Sequence, residues 1–158
     1  ETELDPDNKA WLAGLEARLD LEEVTLAHGS PRNPIWEYVM DVGVAYENMA
    51  AFETGFCLVG HTHIPCIYMM SEGTAPTPYL YFFQQDEPFV FYTKSILNPG
   101  SVGQPRDHNP MASYLLYDDE KELPWLYRRV AYDIESVQKR ILTAGLPVRN
   151  AARLAEGW

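Results

Sequence analysis

Three of the four histidines sit in short irregular loops that directly follow apolar runs: His28 after Glu23-Val24-Thr25-Leu26-Ala27, and His61 and His63 after Phe56-Cys57-Leu58-Val59. In layered α/β proteins, ligands gather at the carboxyl ends of buried strands, which is where such loops lie. His61 and His63 are two positions apart, so in extended chain both imidazoles project from one side, with the small Gly60 and Thr62 leaving space beside them. Neutral imidazole is a common metal ligand, and the arrangement suits one divalent ion or two adjacent ones. A plain loop histidine bonded to a carbonyl explains each of the three alone, but explains their shared placement less well.

Two rival chemistries fit poorly. Cys57, His61, His63 and Cys66 contain the right atoms for tetrahedral zinc, but Cys57 lies within a hydrophobic strand and should point into the core. Ser30 and Ser101 each occupy a loop, and neither has the G-x-S-x-G surroundings of a nucleophile elbow. Arg32 and Arg106 are candidate phosphate contacts, because a guanidinium binds phosphate bidentately and the backbone around Gly100-Ser101 could add an anion nest. The competing reading pairs these arginines with neighbouring acids such as Glu37 and Asp107.

The elements that must hold these residues are legible in outline. Trp11, Leu12, Leu15 and Leu19 recur at helical spacing after the turn Asp5-Pro6-Asp7-Asn8, which predicts an amphipathic helix packed on one side. Val24–Ala27 and Phe56–Val59 read as buried strands, and Ala45, Met49 and Phe52 share a helical face with Gly55 as a stop. From residue 64 to 132 the chain turns to short aromatic and aliphatic stretches, at 78–83, 88–93, 112–117 and 125–132, that predict antiparallel sheet. Ser95-Ile96-Leu97 is a further strand that runs into the loop 98–107. A last helix opens at Asp133, carries Ile134, Val137, Ile141 and Leu142 on one face, and stops before Gly145 and Pro147. No repeat or linker divides the chain, so residues 1–158 make one domain or part of one.

Composition narrows the partners. The 158 residues carry a net charge of −11, and between residues 24 and 126 there are only four cationic side chains, Arg32, Lys94, Arg106 and Lys121. Bulk nucleic-acid binding needs a basic footprint that this chain lacks. A single small phosphate group needs only one or two arginines. With no long apolar span and only two cysteines, no membrane partner is expected, a cytoplasmic setting is the default, and a homo-oligomer is left open.

Taken together, Leu26-Ala27-His28-Gly29, Val59-Gly60-His61-Thr62-His63 and Leu97-Asn98-Pro99-Gly100-Ser101-Val102-Gly103-Gln104-Pro105-Arg106 resemble, in this order, the later motifs of the calcineurin-like metallophosphoesterases, especially the small bacterial type. The resemblance implies an α+β fold of α/β-like character, a four-layer α-β-β-α sandwich. It also implies two divalent ions, with Mn, Fe, Ni, Co and Zn not distinguishable. By the same resemblance, His28 and His61 would bind the second ion and His63 the first, and a bridging hydroxide would attack a phosphate ester. The family's D-x-H, G-D-x-x-D and G-N-H-[DE] motifs are not in this sequence, and with them go its carboxylate ligands and its general-acid histidine. The expectation is therefore the C-terminal portion of a phosphatase or phosphodiesterase domain; the alternative is a non-catalytic binding module that keeps the fold without a complete metal site.

Overall fold

Strands written as nearly continuous apolar runs must be covered on both faces. The computed structural model, which describes residues 4–158, has two sheets and four helices, which cover both faces of β7 and leave one face of β2 partly open. In chain order these are α1 (Pro6–Ala13), β1 (Arg18–Asp20), β2 (Val24–Ala27), α2 (Val42–Met49), β3 (Phe56–Leu58), β4 (Cys66–Met70), β5 (Pro78–Tyr81), β6 (Pro88–Phe89), β7 (Ser95–Asn98), β8 (Ala112–Tyr117), β9 (Trp125–Val130), α3 (Ile134–Thr143) and α4 (Val148–Glu156). The larger sheet has six strands in the order β1-β2-β3-β7-β4-β5, and the smaller has three in the order β6-β9-β8. Strands β2, β3 and β7 are parallel neighbours, while β1, β4 and β5 join antiparallel at the two sides.

The period of two along each strand sorts side chains to opposite faces. Cys57 of β3, Cys66 and Tyr68 of β4 and Ile96 of β7 pack with Ala45 and Met49 of α2 and with Phe52. Their immediate neighbours Phe56, Ile67 and Leu97 face the other way and meet Trp125 of β9, which joins the two sheets. Aromatic edge-to-face contact reinforces that seam, with Phe56 and Trp125 ring centroids 4.9 Å apart. Helix α2 thus lies on one face of the larger sheet and the smaller sheet against the other, while α3 and α4 pair with each other, an α+β arrangement of the expected class.

Capping follows the sequence. Asp41 Oδ1 accepts from the Val44 N–H at 2.9 Å, and Asp133 Oδ1 accepts from the Ser136 N–H at 3.0 Å, so both helices begin where an acidic residue can satisfy a free donor. Gly157, in the left-handed region, ends α4 with no room for a Cβ against the Asn109 backbone 2.6 Å away.

The N-terminal expectation needs correction. The helix exists but ends at Ala13, none of its residues is buried, and Trp11 and Leu12 are exposed. Leu19, assigned by spacing to that helix, lies in β1 paired with Leu26. Edge pairing with β2 satisfies backbone donors that another helical turn would have had to satisfy alone, and so overrides an apolar period of four residues. Strand β4 and helix α4 lay beyond the sequence reading. The Phe56–Val59 strand and the run 95–97 are where they were expected, as β3 and β7.

Candidate metal centre

Because β2, β3 and β7 are adjacent and parallel, the loops that follow them emerge at the same edge of the sheet. His28 follows β2, His61 and His63 follow β3, and Asn98 ends β7. The Gly60 N–H donates to the His28 carbonyl at 2.9 Å, tying the first two loops together.

The result is a close approach of two imidazoles. His28 Nε2 and His61 Nδ1 are 2.8 Å apart, with ring centroids at 4.6 Å in an edge-to-face arrangement. The Tyr38 ring stacks on His61, with ring centroids 3.8 Å apart. His63 is fixed differently. Its Nδ1 lies 2.7 Å from the Gln104 carbonyl, which can only accept, so Nδ1 carries the hydrogen and Nε2 of the neutral ring keeps the free lone pair. Burial lowers the pKa of both His61 and His63, and the positive charge that neighbouring His28 and Arg106 carry or can carry lowers them further. Both rings are therefore neutral near pH 7, the form that ligates metal. A donor set of imidazole nitrogens fits a divalent transition ion, although among the described residues no group of three or more His, Cys, Asp or Glu converges on one point. The three histidines divide instead as a pair and a single.

Backbone strain accompanies the site. His61 and His63 both have φ near 61°, in the left-handed region that His tolerates better than most side chains but that still costs on the order of 1–3 kcal/mol per residue. The Thr62 N–H donates to the Gly60 carbonyl at 2.7 Å, closing a three-residue turn around His61. Asn98, to which motif and spacing assign no role, is buried beneath that turn. Its Nδ2 donates to the Gly60 carbonyl at 2.6 Å and to Thr62 Oγ1 at 2.8 Å, and its Oδ1 accepts from the Gly100 N–H at 2.9 Å. A polar residue at the end of an apolar strand was the signal that could have found it.

The arginines part company. Arg32 is held by Glu37 at 2.6 Å and also by Glu47; Glu37 in turn accepts from Ser30 Oγ at 2.6 Å and from Asn48 Nδ2 at 2.8 Å. Its donors are turned to carboxylates. Arg106 stays beside the histidines, with its backbone N–H on the His63 carbonyl and Nη2 on Gln104 Oε1 at 2.9 Å, while Nε is buried with no partner among the described residues. Asp107 pairs with Arg129, not with Arg106. The cysteines are out of reach as ligands: both are buried, and desolvation pushes the thiols up to about 12 for Cys57 and about 11 for Cys66.

Beside His28 the sheet face is open. An apolar groove of about 800 Å³ runs past Leu26, Leu58, Val59 and Pro99, with Leu15, Leu19 and Ile35 along its sides. No helix of the described residues is long and apolar enough to cross a membrane.

No protein-family model matches the chain. It is 32% identical over 151 residues to an uncharacterized protein of Methanocaldococcus jannaschii, an alignment that takes in 90% of this chain and 55% of that one. Among solved structures it superposes on a metallophosphoesterase from Sphaerobacter thermophilus with a TM-score of 0.87 and 34% identity, covering 99% of this chain and 64% of that one. A hypothetical protein from Pyrococcus horikoshii OT3 shares the fold, with a TM-score of 0.67, 20% identity and coverage of 96% and 55%. The chain therefore spans between about half and two thirds of the length of these proteins. The chain thus has the fold of a metallophosphoesterase, and this likeness supports the resemblance of its Gly60-His61-Thr62-His63 and Asn98-Pro99-Gly100-Ser101 motifs to the calcineurin-like type.

Proposed function

We propose that residues 1–158 are the C-terminal portion of a single metallophosphoesterase domain that hydrolyses a small phosphate ester at a two-metal centre, completed by residues outside this sequence. The observation that carries the reading is the convergence of His28 Nε2 and His61 Nδ1 at 2.8 Å, with His63 Nε2 left free nearby in sequence by the Gln104 carbonyl. In this reading His28 and His61 hold one ion and His63 the other. Ions so held supply an activated water and neutralise phosphoryl oxygens. The protein's own part is to keep His61 and His63 neutral and restrained, to bring His28 against His61, and to offer Arg106 as the phosphate contact. Arg32, also a candidate from sequence, has the weaker case because Glu37 and Glu47 already occupy its guanidinium. Imidazoles bring no negative charge, so carboxylate ligands from the remainder of the domain are required to offset two dications.

The test is metal content and hydrolysis of a nitrophenyl phosphate ester by the full-length protein, with and without His61→Ala. Loss of both in the variant is the expected result. Unchanged metal and rate would overturn the reading, and a folded full-length protein that binds no metal would favour the non-catalytic module.

A further inference from the structure

The structure assigns Asn98 as a positioning residue for His61 and His63: it holds the Gly60-His61-Thr62-His63 turn in its left-handed form and is not itself a metal ligand. This rests on the metal reading only for its functional consequence. Both Nδ2 hydrogens and one lone pair of Oδ1 are engaged inside the loop pair. The Gly60 carbonyl can only accept and the Gly100 N–H can only donate, which fixes the amide orientation; the second Nδ2 hydrogen goes to Thr62 Oγ1. Oδ1, the one atom of the amide that could coordinate an ion, is turned to the Gly100 N–H in a residue that is 1% exposed. The two acceptors it grips flank His61 on either side and Thr62 immediately precedes His63, so one buried amide restrains both histidines, each at φ near 61°. Such conformations persist only where the surroundings over-determine them.

The surroundings do so here. Asn98 is 1% exposed and Thr62 6%, so water offers no substitute partner. Thr62 Oγ1 also accepts from the Ile64 N–H at 3.3 Å, extending the restraint past His63. The loop that begins at Asn98 is itself anchored, because the Ser101 N–H donates to Ser113 Oγ at 2.9 Å on the smaller sheet. Its far end supplies the Gln104 carbonyl that orients the His63 ring. One loop thus sets the backbone of both histidines at its start and the tautomer of one of them at its end.

The experiment uses the full-length protein, Mn²⁺ titration, and the imidazole nitrogen resonances of the metal-free protein. Asn98→Ala is expected to weaken Mn²⁺ binding by ~10–100-fold, the usual scale for outer-shell partners, and to shift the His61 and His63 resonances. The Thr62 pair separates hydrogen bonding from packing and stands even where Asn98→Ala does not fold. Thr62→Ser keeps the acceptor and should bind as the parent does, while Thr62→Val keeps the shape and should bind like Asn98→Ala. The reverse order, or parental Mn²⁺ affinity and histidine resonances in a folded Asn98→Ala protein, would overturn the assignment. If His61→Ala retains Mn²⁺, the metal reading falls instead, and the metal-free resonances alone decide the role of Asn98.

Discussion

Two histidine-bearing loops at one edge of the sheet are held in opposite ways. The segment after β2, which opens with His28, is tied by charges: Glu37 gathers Arg32, Ser30 Oγ and Asn48 Nδ2, Glu47 adds to Arg32, and that arginine is solvent-exposed. The segment after β3 supports His61 and His63 with a neutral, buried amide and hydroxyl, and pairs that rigidity with left-handed backbone. Exposed ion pairs are screened and contribute little, whereas a buried donor left without its acceptor costs its full desolvation. Sensitivity to substitution should therefore be concentrated in the second loop. Sensitivity to acid should be concentrated in the first.

The largest effect expected is that of His61→Ala. It removes a partner of His28 and one member of the restrained pair, and metal affinity and turnover of the full-length protein should fall by more than the ~10–100-fold that outer partners are worth. A smaller loss than for Asn98→Ala would break the distinction between ligand and support. Next comes Asn98→Ala itself, whose stability cost is about 1–3 kcal/mol for buried groups left unpaired, read by urea unfolding. Gly100→Ala should be comparable, about 1–3 kcal/mol, since a Cβ there would meet Ser113 Oγ at 2.2 Å and the residue has φ of 86°.

The acid side of the comparison rests on Glu37. Its hydrogen bonds with Arg32, and then those from Ser30 and Asn48, hold its carboxyl down from 4.5 to about 2. A depressed folded pKa stabilises above the unfolded value, so this contribution is complete above pH 4.5 and is lost as pH falls from there towards about 2. Glu37→Gln should flatten the stability profile in that window and leave it unchanged near neutrality in shape; an identical acid limb in parent and variant would contradict the pairing. The smallest effect is that of Arg32→Gln, within ~1 kcal/mol and shrinking with added salt, because the guanidinium is exposed. A large loss of phosphate affinity in that variant, exceeding that of Arg106→Gln, would reverse the ranking of the two arginines.

Much of this was legible along the chain. Apolar runs broken by Gly and Pro located β2, β3 and β7, and the histidines of interest follow two of those strands directly. Asp133 marks a helix start by the same local logic as any N-cap. What failed were inferences in which local spacing competed with pairing at a distance. Leu19 kept helical spacing with Leu15 yet was drawn into β1 by the backbone of β2. Helix α1 has apolar residues but packs on nothing among the described residues, since a period in sequence does not supply a surface to bury against.

By itself the sequence determined the residue types that can ligate or bind phosphate, their place at strand ends, and a charge of −11 that disfavours a polyanion surface. Only the tertiary structure decided which nitrogen faces which. His28 and His61 are 33 residues apart and His63 and Gln104 are 41 apart, so their contacts depend on β2, β3 and β7 pairing parallel and in register. It also decided that Arg32 turns to acids while Arg106 stays with the histidines, and that Asn98 serves as support. Hydrogen bonds act over about 3 Å, and no spacing along a chain fixes distances on that scale between loops that only the sheet brings together.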